Sequence, residues 1–165
     1  MTMQDLSREI ILDHYQNPRN HGRLLQPTVA NRGHNPLCGD EVELFLEIDD
    51  DSGSDRITGI GFDGRGCSIS QASASMMSEV VKGHTVTEAR AAVEDFTRRM
   101  AGRTPPPAEL EDELDALQGV KRYPARVKCA LLPWATLREA LELYEKREPA
   151  GVAAASSSFD CAGAP

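Results

Sequence analysis

Three cysteines and one aspartate stand where the sequence changes character. Cys38 and Asp40 lie in Asn35-Pro36-Leu37-Cys38-Gly39-Asp40, Cys67 in Gly64-Arg65-Gly66-Cys67-Ser68, and Cys129 in Arg126-Val127-Lys128-Cys129-Ala130. Alternate residues of an extended segment face the same way, so Cys38 and Asp40 can reach one centre. Glycines beside Cys38 and Cys67 let backbone approach a metal or a partner closely. A cysteine at a helix N-terminus gains thiolate character from the helix dipole, and Cys67 precedes a helical pattern. Three thiols and a carboxylate make a tetrahedral set that zinc accepts. The spacing is not that of a zinc ribbon, however, and a free cysteine is also a small hydrophobe that cores bury. Taken alone, the residues leave a metal site and plain burial both open.

The elements around these residues follow from periodicity. Residues 4–16 read as a helix with Leu6, Ile10 and His14 on one face, ended by Asn17-Pro18. Residues 23–40 read as a long polar connection, of the kind that is often functional. Glu41 to Ile48 alternates, with Val42, Leu44, Leu46 and Ile48 inward and Glu41, Glu43 and Glu47 outward, which is a strand with one wet face. Residues 49–55 form an acidic turn that lacks the EF-hand spacing, so a solvated hairpin tip is expected. Arg56 to Phe62 is a second strand, and a short third is expected around Gly64 to Cys67. Helices are then expected over Ser68–Val81, from the Thr85 cap through Met100, over Glu109–Leu117, and over Trp134–Glu148, with a separate helical segment carrying Cys129 after Pro124. Trp134 and Tyr144 read as core. The fold class is α+β, a small antiparallel sheet of about three strands with helices packed on one face. Residues 1–148 are the expected domain, and the Ala/Ser/Gly tail 149–165 is expected to be disordered.

Composition narrows the function classes. Of 165 residues, 40% are hydrophobic and 27% charged, which is globular. Lys and Arg total 18 against 26 Asp and Glu, a net −8, so a nucleic-acid partner is not expected. No apolar run approaches the ~20 residues of a membrane span. Met1 to Ile11 lacks the basic-then-apolar order of a signal peptide, and the cysteines at 38, 67, 129 and 161 form no Cys-x-x-Cys pair. Reduced thiols in a cytoplasmic protein are expected. Cys161 reads as an incidental thiol of the tail. His14 is expected to pack in the first helix, His84 to serve a helix connection and His21 to lie in a loop that touches a partner. His34 is four residues before Cys38 and is chemically able to bind metal.

Together the motifs resemble the NifU/IscU-type family of iron–sulfur cluster assembly. The resemblance rests on Cys38-Gly39-Asp40, Gly64-x-Gly66-Cys67-x-x-Ser70 and a basic residue before Cys129, and covers about residues 4–147. IscU-type scaffolds have His before the third cysteine, where this chain has Lys128, and a shorter separation between the second and third. Both departures, together with Arg126 to Ala130 and Tyr15 to Gly22, are similar to the SufU-type branch. That resemblance implies a zinc-dependent sulfurtransferase working with a PLP-dependent, SufS-type cysteine desulfurase, with downstream cluster-assembly scaffolds as further partners. It implies zinc on Cys38, Asp40, Cys67 and Cys129. It further implies that a histidine of the docked desulfurase takes a zinc position and frees Cys38 to accept persulfide sulfur. Such a set brings −4 to a +2 ion, and Arg126 and Lys128 are placed to offset the excess. The alternative is a scaffold on which the same cysteines hold a transient [2Fe–2S] cluster.

Overall fold

The structure, a computed structural model, describes residues 2–36, 39–50, 53–102, 107, 109–147 and 153–156. Helix α1 (Met3–Gln16) opens on a reciprocal cap. Thr2 Oγ1 accepts from the Asp5 amide, and the Asp5 carboxylate accepts from the Thr2 amide. Of its residues only His14 is buried; Leu6, expected on the same inward face, stays 36% exposed beside an exposed Leu12. The helix lies against a later helix, Ser68–Val81, and a 3-10 segment, not in the centre of the core.

The expected loop 23–40 contains a strand. β1 (Val29–His34) pairs antiparallel with β2 (Glu41–Asp49), from Val29 opposite Leu46 to His34 opposite Glu41. Its inward positions are Val29, Asn31 and Gly33, so no apolar alternation announces it. Helix packing holds it instead. Asn31 Nδ2 donates to Thr136 O at 3.0 Å, and a Cβ on Gly33 would fall 2.1 Å from Thr136 Oγ1.

β2 buries Val42, Leu44, Leu46 and Ile48 as its alternation requires. Phe45, on the opposite face with Glu43 and Glu47, is also covered, with the Arg23 guanidinium 5.2 Å over its ring. β3 (Arg56–Arg65) pairs antiparallel with β2 as one strand where two short ones are expected. The expected break after Phe62 does not occur, because pairing with β2 continues through Asp63 and Gly64 to Arg65. The sheet order is β3-β2-β1-β4, where β4 (Ala153–Ser156) runs parallel to β1. This strand lies within the stretch expected to be a disordered tail; the rest of that stretch, Cys161 included, is outside the described residues. Backbone pairing on a free sheet edge needs no apolar side chains.

α2 (Ser68–Val81) buries a row of small residues. Ser73 Oγ donates to Ala130 O at 2.6 Å and accepts from Trp134 Nε1 at 3.0 Å, so this buried hydroxyl and the indole N–H are both satisfied where α2 meets the C-terminal helix. α3 (Val86–Met100) is capped by Thr85 and buries Ala89, Val93, Phe96 and Met100, with Phe96 stacked on Trp134. The expected helix Glu109–Leu117 is displaced: a 3-10 segment spans Glu113–Arg122 and runs through Gly119. Its start is fixed by charge. Asp112 caps it, while Arg99 bridges Asp112 at 2.8 Å and the buried Asp115 at 3.1 Å. The two expected C-terminal helical segments are one helix, α4 (Pro124–Lys146), with Pro133 inside. The proline removes one backbone bond, but Leu131, Leu132, Trp134 and Leu137 are buried around it and hold the helix through. α2 and α4 cover one face of the sheet, with α1, α3 and the 3-10 segment outside them. None of the described helices is long and apolar enough to cross a membrane.

Candidate metal centre

Three element ends converge. Asp40 enters β2, where its carbonyl accepts from the Asn35 amide at 2.8 Å, and the Gly39 amide bonds back to Asn35 O at 2.9 Å. Cys67 is the N-cap of α2, delivered there by β3. Cys129 lies near the start of α4. One ligand atom from each of Asp40, Cys67 and Cys129 lies within 4.8 Å of the other two. Asp40 is 4% exposed and Cys129 3%, while Cys67 is half-buried and gives the cluster its opening. Cys38, two residues before Asp40 in sequence, lies outside the described residues, as does Leu37.

The cap geometry sets the cluster. The Cys67 amide donates to Asp40 Oδ1 at 3.2 Å, and Cys67 Sγ lies 3.6 Å from Asp40 Oδ2. That approach requires glycine at 66, because a Cβ there would sit 2.9 Å from the Asp40 carboxylate and 2.5 Å from Ser70 Oγ. Ser70 Oγ donates to Cys67 O at 3.1 Å and stands 3.9 Å from Cys67 Sγ. This serine was visible in the sequence as the last residue of Gly-x-Gly-Cys-x-x-Ser, but only the helix cap shows what it contacts.

The two thiols are shifted in opposite directions. Cys67 is lowered to about 6, chiefly by the hydrogen bond from Cys129 and further by the Ser70 and Ile69 amides, against burial and the Asp40 charge. The same pairing, with burial, pushes the Cys129 thiol far up. Arg126, exposed one helical turn before Cys129, has its guanidinium beside both thiols, and the Cys67 charge raises it further. Lys128 is half-buried and, next to Cys129 in sequence, lies about a third of a turn away around α4. His34 ends β1 opposite Glu41, His84 joins α2 to α3, and His21 packs edge-on against Phe62; none of the three belongs to the cluster.

A thiolate, a thiol and a carboxylate so close together concentrate negative charge that a cation relieves. The donor set, soft sulfur with one hard oxygen, fits zinc, and sulfur-rich sites also fit iron–sulfur clusters. The family model of the NifU-like N terminal domain matches residues 6–150. The chain belongs to this NifU-like family. It is 40% identical over 148 residues to the zinc-dependent sulfurtransferase SufU of Bacillus subtilis, covering 87% of this chain and 94% of that protein. It is 36% identical over 140 residues to the iron–sulfur cluster assembly scaffold protein IscU of Streptococcus pyogenes, covering 85% of each. Among solved structures, a candidate iron–sulfur cluster assembly scaffold of the SUF system from Fervidobacterium islandicum superposes with a TM-score of 0.70 at 38% identity, covering 81% of this chain and 94% of that one. The N-terminal NifU-like protein of Brucella abortus gives 0.72 at 26%, covering 89% and all of that chain. The NifU/IscU-like resemblance of the SufU type and the α+β fold stand on these matches.

Proposed function

We propose that this NifU-like chain is a zinc-dependent sulfurtransferase for iron–sulfur cluster assembly. It accepts persulfide sulfur on Cys38 from a PLP-dependent, SufS-type cysteine desulfurase in the cytoplasm. The observation that supports this reading is the convergence of Asp40, Cys67 and Cys129, with Cys38 two residues before Asp40 in sequence. Cys38, Asp40, Cys67 and Cys129 would hold the ion. When bound, zinc keeps the thiolates deprotonated and occupies lone pairs that oxidants would otherwise attack. The chain's own residues do the rest. The Cys38 thiolate attacks the outer sulfur of the desulfurase persulfide; that S–S bond breaks, a new one forms on Cys38, and the desulfurase thiolate leaves, with no net oxidation or reduction. Arg126, at the thiols, and Lys128, beside Cys129, offset the negative charge.

Metal analysis of the purified chain, combined with a desulfurase assay, tests this. One zinc per chain and stimulation of cysteine-to-alanine turnover are expected, with stimulation lost on chelation and in Cys38→Ala. Full stimulation by Cys38→Ala removes the acceptor role. A second reading, a scaffold for a [2Fe–2S] cluster, has support from IscU relatives at 36% and 37% identity. Anaerobic reconstitution separates the two: a stable cluster that passes to an apo-protein favours the scaffold.

A further inference from the structure

A second group of metal-ligating side chains lies further along α2, away from the thiols. His14 at the end of α1, Glu79 on α2 and Glu113 at the start of the 3-10 segment each offer a ligand atom, and these lie within 4.8 Å of one another. We propose that they form a second cation site, independent of the thiols, for one divalent first-row ion that prefers oxygen and nitrogen donors.

The imidazole is held as a metal-binding imidazole must be. His14 is fully buried, with Nδ1 2.8 Å from Ser75 Oγ, which also accepts from the Arg19 amide at 2.9 Å. Ligating histidines have their second nitrogen fixed by such a polar partner. The other nitrogen, Nε2, is aimed outward at Glu113 Oε2, 2.7 Å away. Glu79 follows Ser75 by four residues, so the two share a face of α2 and Glu79 stands over the same opening. Donors bound to one ion at about 2.1 Å lie roughly 3 to 4 Å apart, so small shifts of two half-exposed carboxylates suffice. Glu79 and Glu113 also line a cavity of about 470 Å³, where Arg99 pairs with Asp95 and Asp112, so water can reach the two glutamates from that side.

Charge points the same way. Arg19 pairs with Asp13 at 2.6 Å and Glu79 at 3.6 Å, and Glu113 is on the imidazole. Three carboxylates, Asp13, Glu79 and Glu113, thus face one guanidinium, and a divalent ion offsets the excess of negative charge. Two hard carboxylates with one borderline imidazole suit Mn²⁺ or Fe²⁺, whereas the thiol cluster selects a softer ion. Ser75 lies eight residues beyond Cys67, roughly 12 Å along the helix, so both sites can be filled together.

The test uses full-length protein loaded with zinc and titrated with Mn²⁺ in about 0.15 M salt, which screens loose binding to surface acids. The loss of the free Mn²⁺ resonance signal reports binding, and zinc per chain is counted in parallel. One saturable Mn²⁺ per chain with sub-millimolar affinity is expected, with zinc retained. Glu79→Gln and Glu113→Gln, both at half-exposed positions, should each weaken Mn²⁺ by about tenfold or more, while the remote Glu88→Gln leaves it unchanged. Mn²⁺ should also raise the melting temperature of the parent and not of the two variants, since the ion joins three elements. No saturable Mn²⁺ below about 1 mM, or undiminished binding in both variants, overturns the site. Neither result bears on sulfur transfer, which the zinc and desulfurase measurements read separately.

Discussion

One helix carries both clusters, and they are built in opposite ways. At the N-terminus of α2 the ligands are two soft sulfurs and one carboxylate, come from element ends and lie within 4.8 Å of one another. Two turns further along, the ligands are harder, the imidazole is locked from behind by Ser75, and the carboxylates are half in water. The first depends on backbone placement, above all on Gly66 and the Cys67 cap, and the second on side chains reaching across three helical elements. Donor type thus follows from position. A helix cap offers amides that favour a thiolate, whereas a helix flank offers room for long carboxylates.

The strongest way to break this contrast is to remove the soft donors. Cys67→Ser with Cys129→Ser should drop zinc from one per chain to less than about a tenth by elemental analysis, because thiolate donors dominate such sites. Mn²⁺ binding at His14 should persist. Gly66→Ala should weaken zinc about tenfold to hundredfold in a chelator competition, since overpacking costs about 1–3 kcal/mol and the added methyl meets the Asp40 carboxylate. Ser75→Ala strikes the other cluster. It leaves His14 Nδ1 and the Arg19 amide without their partner and should cost about 1–3 kcal/mol in urea unfolding, with zinc content unchanged.

The smaller effects concern protonation. In metal-free protein, alkylation of Cys67, followed by peptide mass spectrometry, should rise with pH through a midpoint near about 6 and fall away below it, as the thiolate takes up a proton. Cys129 should stay unreactive over the same range, because its thiol keeps its proton. Arg126→Ala should raise the Cys67 midpoint slightly, by under about one pH unit, because an exposed guanidinium is well screened.

Where side chains repeat with the period of their element, the fold was legible. Val42 to Ile48 and Ala89 to Met100 declare a strand and a helix by periodicity and are buried accordingly. β1 declares nothing, because its inward residues include an asparagine and a glycine that answer to Thr136, more than a hundred positions away. The 3-10 segment starts where Arg99 grips Asp112 and Asp115, a contact between elements that local propensity does not contain. Pro133 reads as a break and is carried through by burial on both sides. For the candidate site, Asp40, Cys67 and Cys129 stood out at element boundaries; that the Cys67 amide donates to the Asp40 carboxylate was not readable.

By itself the sequence determined which atoms could do chemistry, since residue type sets donor softness, charge and ordinary pKa, and it determined the family through motifs that short-range spacing preserves. Only the tertiary structure decided which of those atoms meet. Ligands from a strand entry, a helix cap and a distant helix share one centre because the sheet and α2 hold their ends together. A histidine that reads as helix packing faces two glutamates because the 3-10 segment folds back over α1. Such meetings are long-range, and the free energy that enforces them is spread over the whole buried core.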